Sequence, residues 1–153
     1  MSESLKSRAL RIGFNLFPAL RRSGGRITYF SADRKVLKMR LPLKLKTKNF
    51  VGTMFGGSMY SAIDGVYMVL FIRLLGDDYV VWDREARIRY LKPGRTDLTT
   101  EFRISDMELD AIRELLETEK SIERIYRIEW RDANGEVVCT IDKTLYFRKK
   151  DRQ

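Results

Sequence analysis

One carboxylate in this chain stands where chemistry could use it. Asp64 lies in a strongly apolar stretch, eight residues after the first glycine of the pair Gly56-Gly57. The 153 residues include no histidine, which excludes Ser-His-Asp and Cys-His nucleophile devices and any His-rich metal site. Acid-base work near neutral pH therefore falls to a carboxylate, a lysine, a tyrosine or bound water. An unpartnered aspartate among apolar side chains is costly. Asp64 is thus either a working group or a partnered one, hydrogen-bonded to Ser61 one turn back or paired with an arginine. Asn49 could orient a water or simply cap the turn it sits in. Asp83, between Trp82 and Arg84, is a second polar group for such a site or half of a surface ion pair. Cys139 is the single cysteine. There is then no disulfide framework and no thiolate cluster, which fits a reducing cytosol, and no metal or cofactor is expected.

The elements that would hold these residues follow from periodicity. Residues 3–17 read as an amphipathic helix, with Leu5, Ala9, Ile12 and Leu16 on one face. That face is expected to dock on the body, with a membrane-surface role as the alternative. Phe17-Pro18 ends it, and Ser23-Gly24-Gly25 is a turn. Residues 26–31 and 36–45 read as strands. At the end of the second, Leu41, Leu43 and Leu45 point one way, while Lys44, Lys46 and Lys48 form a row on the other. From about residue 54 to 75 the chain is apolar on every side, which predicts one continuous helix roughly 30 Å long, wrapped by a sheet. Residues 79–91, 98–104, 122–131 and 137–147 read as four more strands. A short helix at 108–119 presents Leu109, Ile112 and Leu116. The connections are too short for parallel crossovers, so the expected class is α+β, a six-stranded antiparallel sheet around a long central helix, in a single domain over 1–153.

The formal charge of +9 is concentrated in the first 50 residues, which hold 13 Lys+Arg against 2 acids. Such a surface could meet an anionic membrane or a phosphorylated ligand. No nucleic-acid motif or aromatic stacking platform accompanies it, and nucleic acid is not expected as a partner. Asp64 and Arg73 interrupt the central apolar run, so no transmembrane segment is expected.

The stretch Asn49, Gly52-Thr53, Met54, Phe55, Gly56-Gly57 and Asp64 resembles the signature of the hotdog-fold acyl-CoA thioesterase superfamily. That signature runs asparagine, Gly-Thr, a hydrophobic residue, histidine, Gly-Gly and then an acid. The strand end Arg89-Tyr90-Leu91-Lys92-Pro93-Gly94 resembles the next signature. GTMFGGSMY with RYLKPG is most similar to an uncharacterised branch of that superfamily. Two positions depart from the pattern: Phe55 replaces the usual histidine, and Asp83 lies near a position where some members carry serine or threonine.

The resemblance implies a cytoplasmic homodimer or tetramer that hydrolyses acyl-CoA or a related acyl thioester, with coenzyme A entering only as part of the substrate. Amides at the start of a helix are unpaired donors at the positive end of its dipole. Gly56 and Gly57 of one subunit would stabilise the oxyanion, and Asp64 of the other would activate water or attack the thioester directly. Phe55, Tyr60 and Ser61 would line the acyl end, with Asp83 nearby. Lys48, Lys92 and Arg95 would meet the coenzyme A phosphates. Because Phe55 replaces the histidine, a non-catalytic acyl-CoA or fatty-acid binder is the alternative.

Overall fold

A computed structural model describes residues 3–150. Six strands form one antiparallel sheet in the order β1-β2-β4-β5-β6-β3. The strands are β1 (Arg26–Phe30), β2 (Val36–Leu41), β3 (Tyr79–Tyr90), β4 (Leu98–Arg103), β5 (Ile122–Arg131) and β6 (Val137–Lys149). Their alternation carries the fold. In β6, Cys139, Ile141, Lys143, Leu145 and Phe147 are all buried, and from Thr140 to Arg148 the residues between them are less so. A period of two puts them on one face of the sheet. The turn into β6 is tightened by Asp132, whose carboxylate accepts from the Asn134 and Glu136 amides (2.9 and 3.0 Å).

The central apolar run packs on that face, but it is not one straight helix. It divides into α3 (Gly56–Ser61) and α4 (Val66–Leu75), separated by Gly65 at φ +73°. A left-handed residue cannot continue a right-handed helix, and glycine adopts it without a Cβ penalty. The expectation of unbroken helix failed here because the apolar pattern runs through the break. By length and composition the stretch 56–75 matches a membrane-crossing helix, with mean hydropathy 1.4. Its burial against the sheet accounts for the same apolarity. Tyr67 and Phe71 of α4 meet Phe102, Tyr126 and Phe147 with ring centroids 4.9–5.1 Å apart. The Trp130 indole N–H donates to the Met59 carbonyl at 2.8 Å, seating α3 on β5.

The amino-terminal segment corrects two further expectations. Pro18 ends α1 (Leu5–Leu16) and also opens a second helix, α2 (Pro18–Ser23), at the position where its missing N–H costs nothing. On the docked face of α1, Ser7 is buried and Leu10 and Phe14 pack against the core. The stripe Leu5, Ile12 and Leu16 faces outward, with Leu5 85% exposed. Docking is fixed by the bonds α1 makes: Asn15 exchanges hydrogen bonds with the Ile27 backbone (2.8 and 2.9 Å), and Glu3 pairs with Arg11 and caps the Phe30 amide.

The lysine row also changes. β2 stops at Leu41, and after Pro42 the chain makes a short 3-10 turn at Leu45–Thr47. Lys44, Lys46 and Lys48 are exposed, but they are not a strand face. Helix α5 (Asp106–Thr118) buries Leu109, Ile112 and Leu116 as the spacing predicts.

Candidate functional site

Asp64 sits at the α3–α4 junction, displayed by the break rather than enclosed in a helix. Its side chain is 54% exposed, so it stands half in solvent rather than sealed in the core. Two donors reach the same oxygen. The Tyr60 hydroxyl donates to Oδ1 at 3.1 Å, and Lys143 Nζ donates to Oδ1 at 3.0 Å. Oδ2 has no partner among the described residues.

Lys143 was not singled out by the residue pattern, yet it organises the site. It occupies an inward position of β6, is 2% exposed, and bridges Asp64 to Asp83 Oδ2, each at 3.0 Å. Its ammonium also lies 5.1 Å from the Tyr60 ring centroid. Burial alone would lower its pKa, but the Asp64 and Asp83 carboxylates outweigh it and hold the value above that of an ordinary lysine. The signal was present in the sequence: a lysine at an inward place of the alternation Ile141, Lys143, Leu145 needs a buried counter-charge.

Asp83 faces inward in alternation with Val81, opposite Leu145 and just before a bulge. The β3–β6 register shifts between Asp83 and Glu85. The more buried positions of β3 change accordingly, from Val81 and Asp83 to Ala86 and Ile88. The extra residue re-aims the strand, as bulges do. Asp83 Oδ2 also accepts the Gly65 amide at 3.1 Å, which pins the left-handed turn. Asp83 is thus neither a surface ion pair nor exposed in the cleft, but a brace under Asp64.

The remaining positions separate. Asn49 is fully used within its own loop: its Oδ1 accepts from the Val51 and Thr53 amides (3.2 and 3.0 Å), and its side-chain N–H donates to the Thr53 hydroxyl (2.9 Å). This is the capping role. Gly56 and Gly57 open α3, where their amides have no intrahelical acceptor. A Cβ on Gly56 would lie 2.7 Å from the Tyr90 hydroxyl, and one on Gly57 would lie 2.4 Å from the Phe55 ring. Phe55, 53% exposed, is therefore folded back over the glycine pair. Lys92 is engaged by Asp132 at 2.8 Å and by Glu136. Arg95 is exposed. Lys48 bridges to Met54, whose amide donates to Gly94, so the Lys48 and Arg95 segments run side by side.

Tyr60, Ser61 and Asp64 are among the residues that line a cleft of about 1110 Å3. Its walls are α1 and α2 on one side and α4 on the other, with Ile27 and Leu37 of β1 and β2 also lining it. The acid thus stands at an apolar hollow, which brings one oxygen anchored by two donors to the place a ligand could occupy.

Solved structures share this fold over nearly the whole chain. A protein of unknown function from Pseudomonas aeruginosa, PA5026, described as a probable thioesterase, superposes with a TM-score of 0.83 at 19% identity, covering 97% of this chain and 99% of that one. Thioesterase HI1161 from Haemophilus influenzae matches with TM-score 0.68 at 14% identity, over 96% and 93% of the two chains. A mutant of thioesterase PA1618 from Pseudomonas aeruginosa matches with TM-score 0.68 at 14% identity, over 98% and 97%. A search of curated proteins finds no match. The sheet around a central helix is therefore the thioesterase-like hotdog fold. Residues 9–147 match the family model described as "Domain of unknown function (DUF4442)", and the chain belongs to that family.

Proposed function

We propose that this protein hydrolyses an acyl thioester, with coenzyme A as the carrier, as a cytosolic homodimer. The observation that carries the reading is the posture of Asp64. Oδ1 is tied to Tyr60 and Lys143, and the half-exposed carboxylate lines the cleft with Oδ2 unpartnered among the described residues. That oxygen can accept a proton from water. The water oxygen then bonds to the thioester carbon, the carbonyl electrons move to oxygen, and collapse breaks the C–S bond. The thiolate takes back the proton from Asp64. Direct attack by the carboxylate is the other route to the same products.

Amides suited to the oxyanion exist at Gly56 and Gly57, but Asp64 of the same chain lies about 11 Å further along the helical run. In this reading the two halves come from different subunits. Asn49 holds the loop before the glycines, and Lys48 and Arg95 lie where an anionic carrier could reach them.

Substitution of Asp64 by Asn is the decisive test. The variant stays folded, and hydrolysis across an acyl-CoA chain-length panel collapses. Wild-type turnover no greater than that of the variant would sink the proposal. A second reading, acyl binding without turnover, is favoured by Phe55 at the histidine position. Acyl-CoA that co-purifies intact would support it.

A further inference from the structure

The cleft beside Asp64 is larger than thioester chemistry needs. Its roughly 1110 Å3 exceeds the span of about 300–1,000 Å3 typical of small-molecule pockets. It is a half-open groove along the seam between the helices rather than an interior void. Its polar lining is Lys6, Arg34, Tyr60, Ser61, Asp64 and Arg73. Of these, Tyr60 is bonded to Asp64 and Arg73 lies over the Phe14 ring, 5.4 Å from its centroid. The rest of the wall is largely apolar and includes Leu10, Phe14, Leu20, Met68 and Val69.

Gly13 supplies the second observation. It sits inside α1, where glycine lowers helix stability relative to alanine. Neither of the usual reasons for glycine applies. Its φ is not positive, and a Cβ built on it meets nothing within 4 Å. It lines the cleft, one turn after Ala9. What its missing side chain provides is empty volume in the cleft wall.

We propose that this cleft takes an unbranched aliphatic acyl chain, its carbonyl end at Asp64, and that Gly13 keeps the wall open and so sets the chain length accepted. The substrate class is then a fatty acyl thioester rather than an aromatic or short acyl one. The thioester part of this statement rests on the function proposed above. The occupancy of the cleft by an aliphatic chain does not.

The test compares wild type with Gly13→Leu and Gly13→Ala. Both substitutions raise helix propensity, and neither Cβ meets a neighbour, so thermal melts by circular dichroism should match or exceed wild type. In wild type, kcat/KM rises by about fourfold per added methylene from butanoyl-CoA to dodecanoyl-CoA while the cleft fills. In Gly13→Leu the dodecanoyl-to-butanoyl ratio falls by roughly tenfold or more, with Gly13→Ala in between. Calorimetric titration with the neutral probe 1-decanol reads the same cleft without catalysis. Binding to wild type that weakens in Gly13→Leu supports the inference even if no thioester is hydrolysed, in which case only the catalytic reading fails. Equal ratios and equal 1-decanol binding in a folded Gly13→Leu overturn it, whether or not the enzyme turns over. Absence of any 1-decanol binding to wild type overturns it as well.

Discussion

Lys143 is the residue on which the local electrostatics turn. A nearly inaccessible ammonium between two carboxylates is tolerable only while both are present, and the two pairs differ. The Asp64 side chain is half exposed, so its ion pair is screened and contributes little to stability. Asp83 is far less accessible and has a second oxygen with no partner among the described residues, so it depends on the lysine. Replacing Lys143 with Met should therefore cost about 3 kcal/mol, because a carboxylate is left buried and unpaired. In a urea titration, Lys143→Met combined with Asp83→Asn should recover part of that loss. An additive double variant would show that the two residues do not interact. The pH dependence follows from the raised pKa of Lys143. A lysine that binds its proton more tightly when folded contributes stability that is fully present below its ordinary value of 10.5 and is lost as pH rises through the higher folded value. Melting temperatures of wild type should fall more steeply above pH 10.5 than those of the double variant.

Among the elements, the break between α3 and α4 and the brace at α5 matter most. Gly65 takes a left-handed conformation next to Asp64 and is held by Asp83. Gly65→Ala should destabilise by about 1–2 kcal/mol, the cost of placing a Cβ in that region. The added Cβ itself has room, with Met68 Cε at 3.6 Å. Loss of activity in excess of that destabilisation would show that the break aims Asp64. Helix α5 is tied to β5 through Glu108, which pairs with Arg124 (2.8 Å) and accepts from the Tyr126 hydroxyl (2.5 Å). Burial would raise its pKa, but the Arg124 guanidinium and the Tyr126 hydroxyl together hold it below the ordinary carboxyl value of 4.5. Its contribution is therefore present above pH 4.5 and is lost as pH falls through the lower folded value. Glu108→Gln should flatten the acid limb of the stability curve, which chemical denaturation at stepped pH would show.

At the scale of the whole molecule, the proposed chemistry needs a second copy, because one chain separates its glycine amides from its acid. Sedimentation velocity should show a dimer or larger. Mixing Asp64→Asn with a variant blocked at the glycines, such as Gly57→Val, should restore part of the activity through mixed subunits. A monomer, or no recovery on mixing, would remove the two-subunit site. Five of the six strand spans and the buried face of α5 were legible beforehand, because strand alternation and helical spacing report which side chains face the core; the early end of β2 at Leu41, helix α2 and the α3–α4 break were not. The face of α1 was not: Leu5, Ile12 and Leu16 looked like a docking stripe. Backbone and side-chain bonds at Asn15 and Glu3 set its rotation instead.

What the residues settle by themselves is the cast: no histidine, one acid in an apolar run, a glycine pair at a helix start, and strands enough for one antiparallel sheet. What the tertiary structure decided is company. Asp64 and Lys143 are 79 positions apart in the chain, and Asp83 reaches the same ammonium from β3, the strand paired with β6. Neither pairing leaves a local pattern. A side chain's neighbours depend on strand register and helix breaks, and these are set by packing across the sheet rather than by the residues on either side.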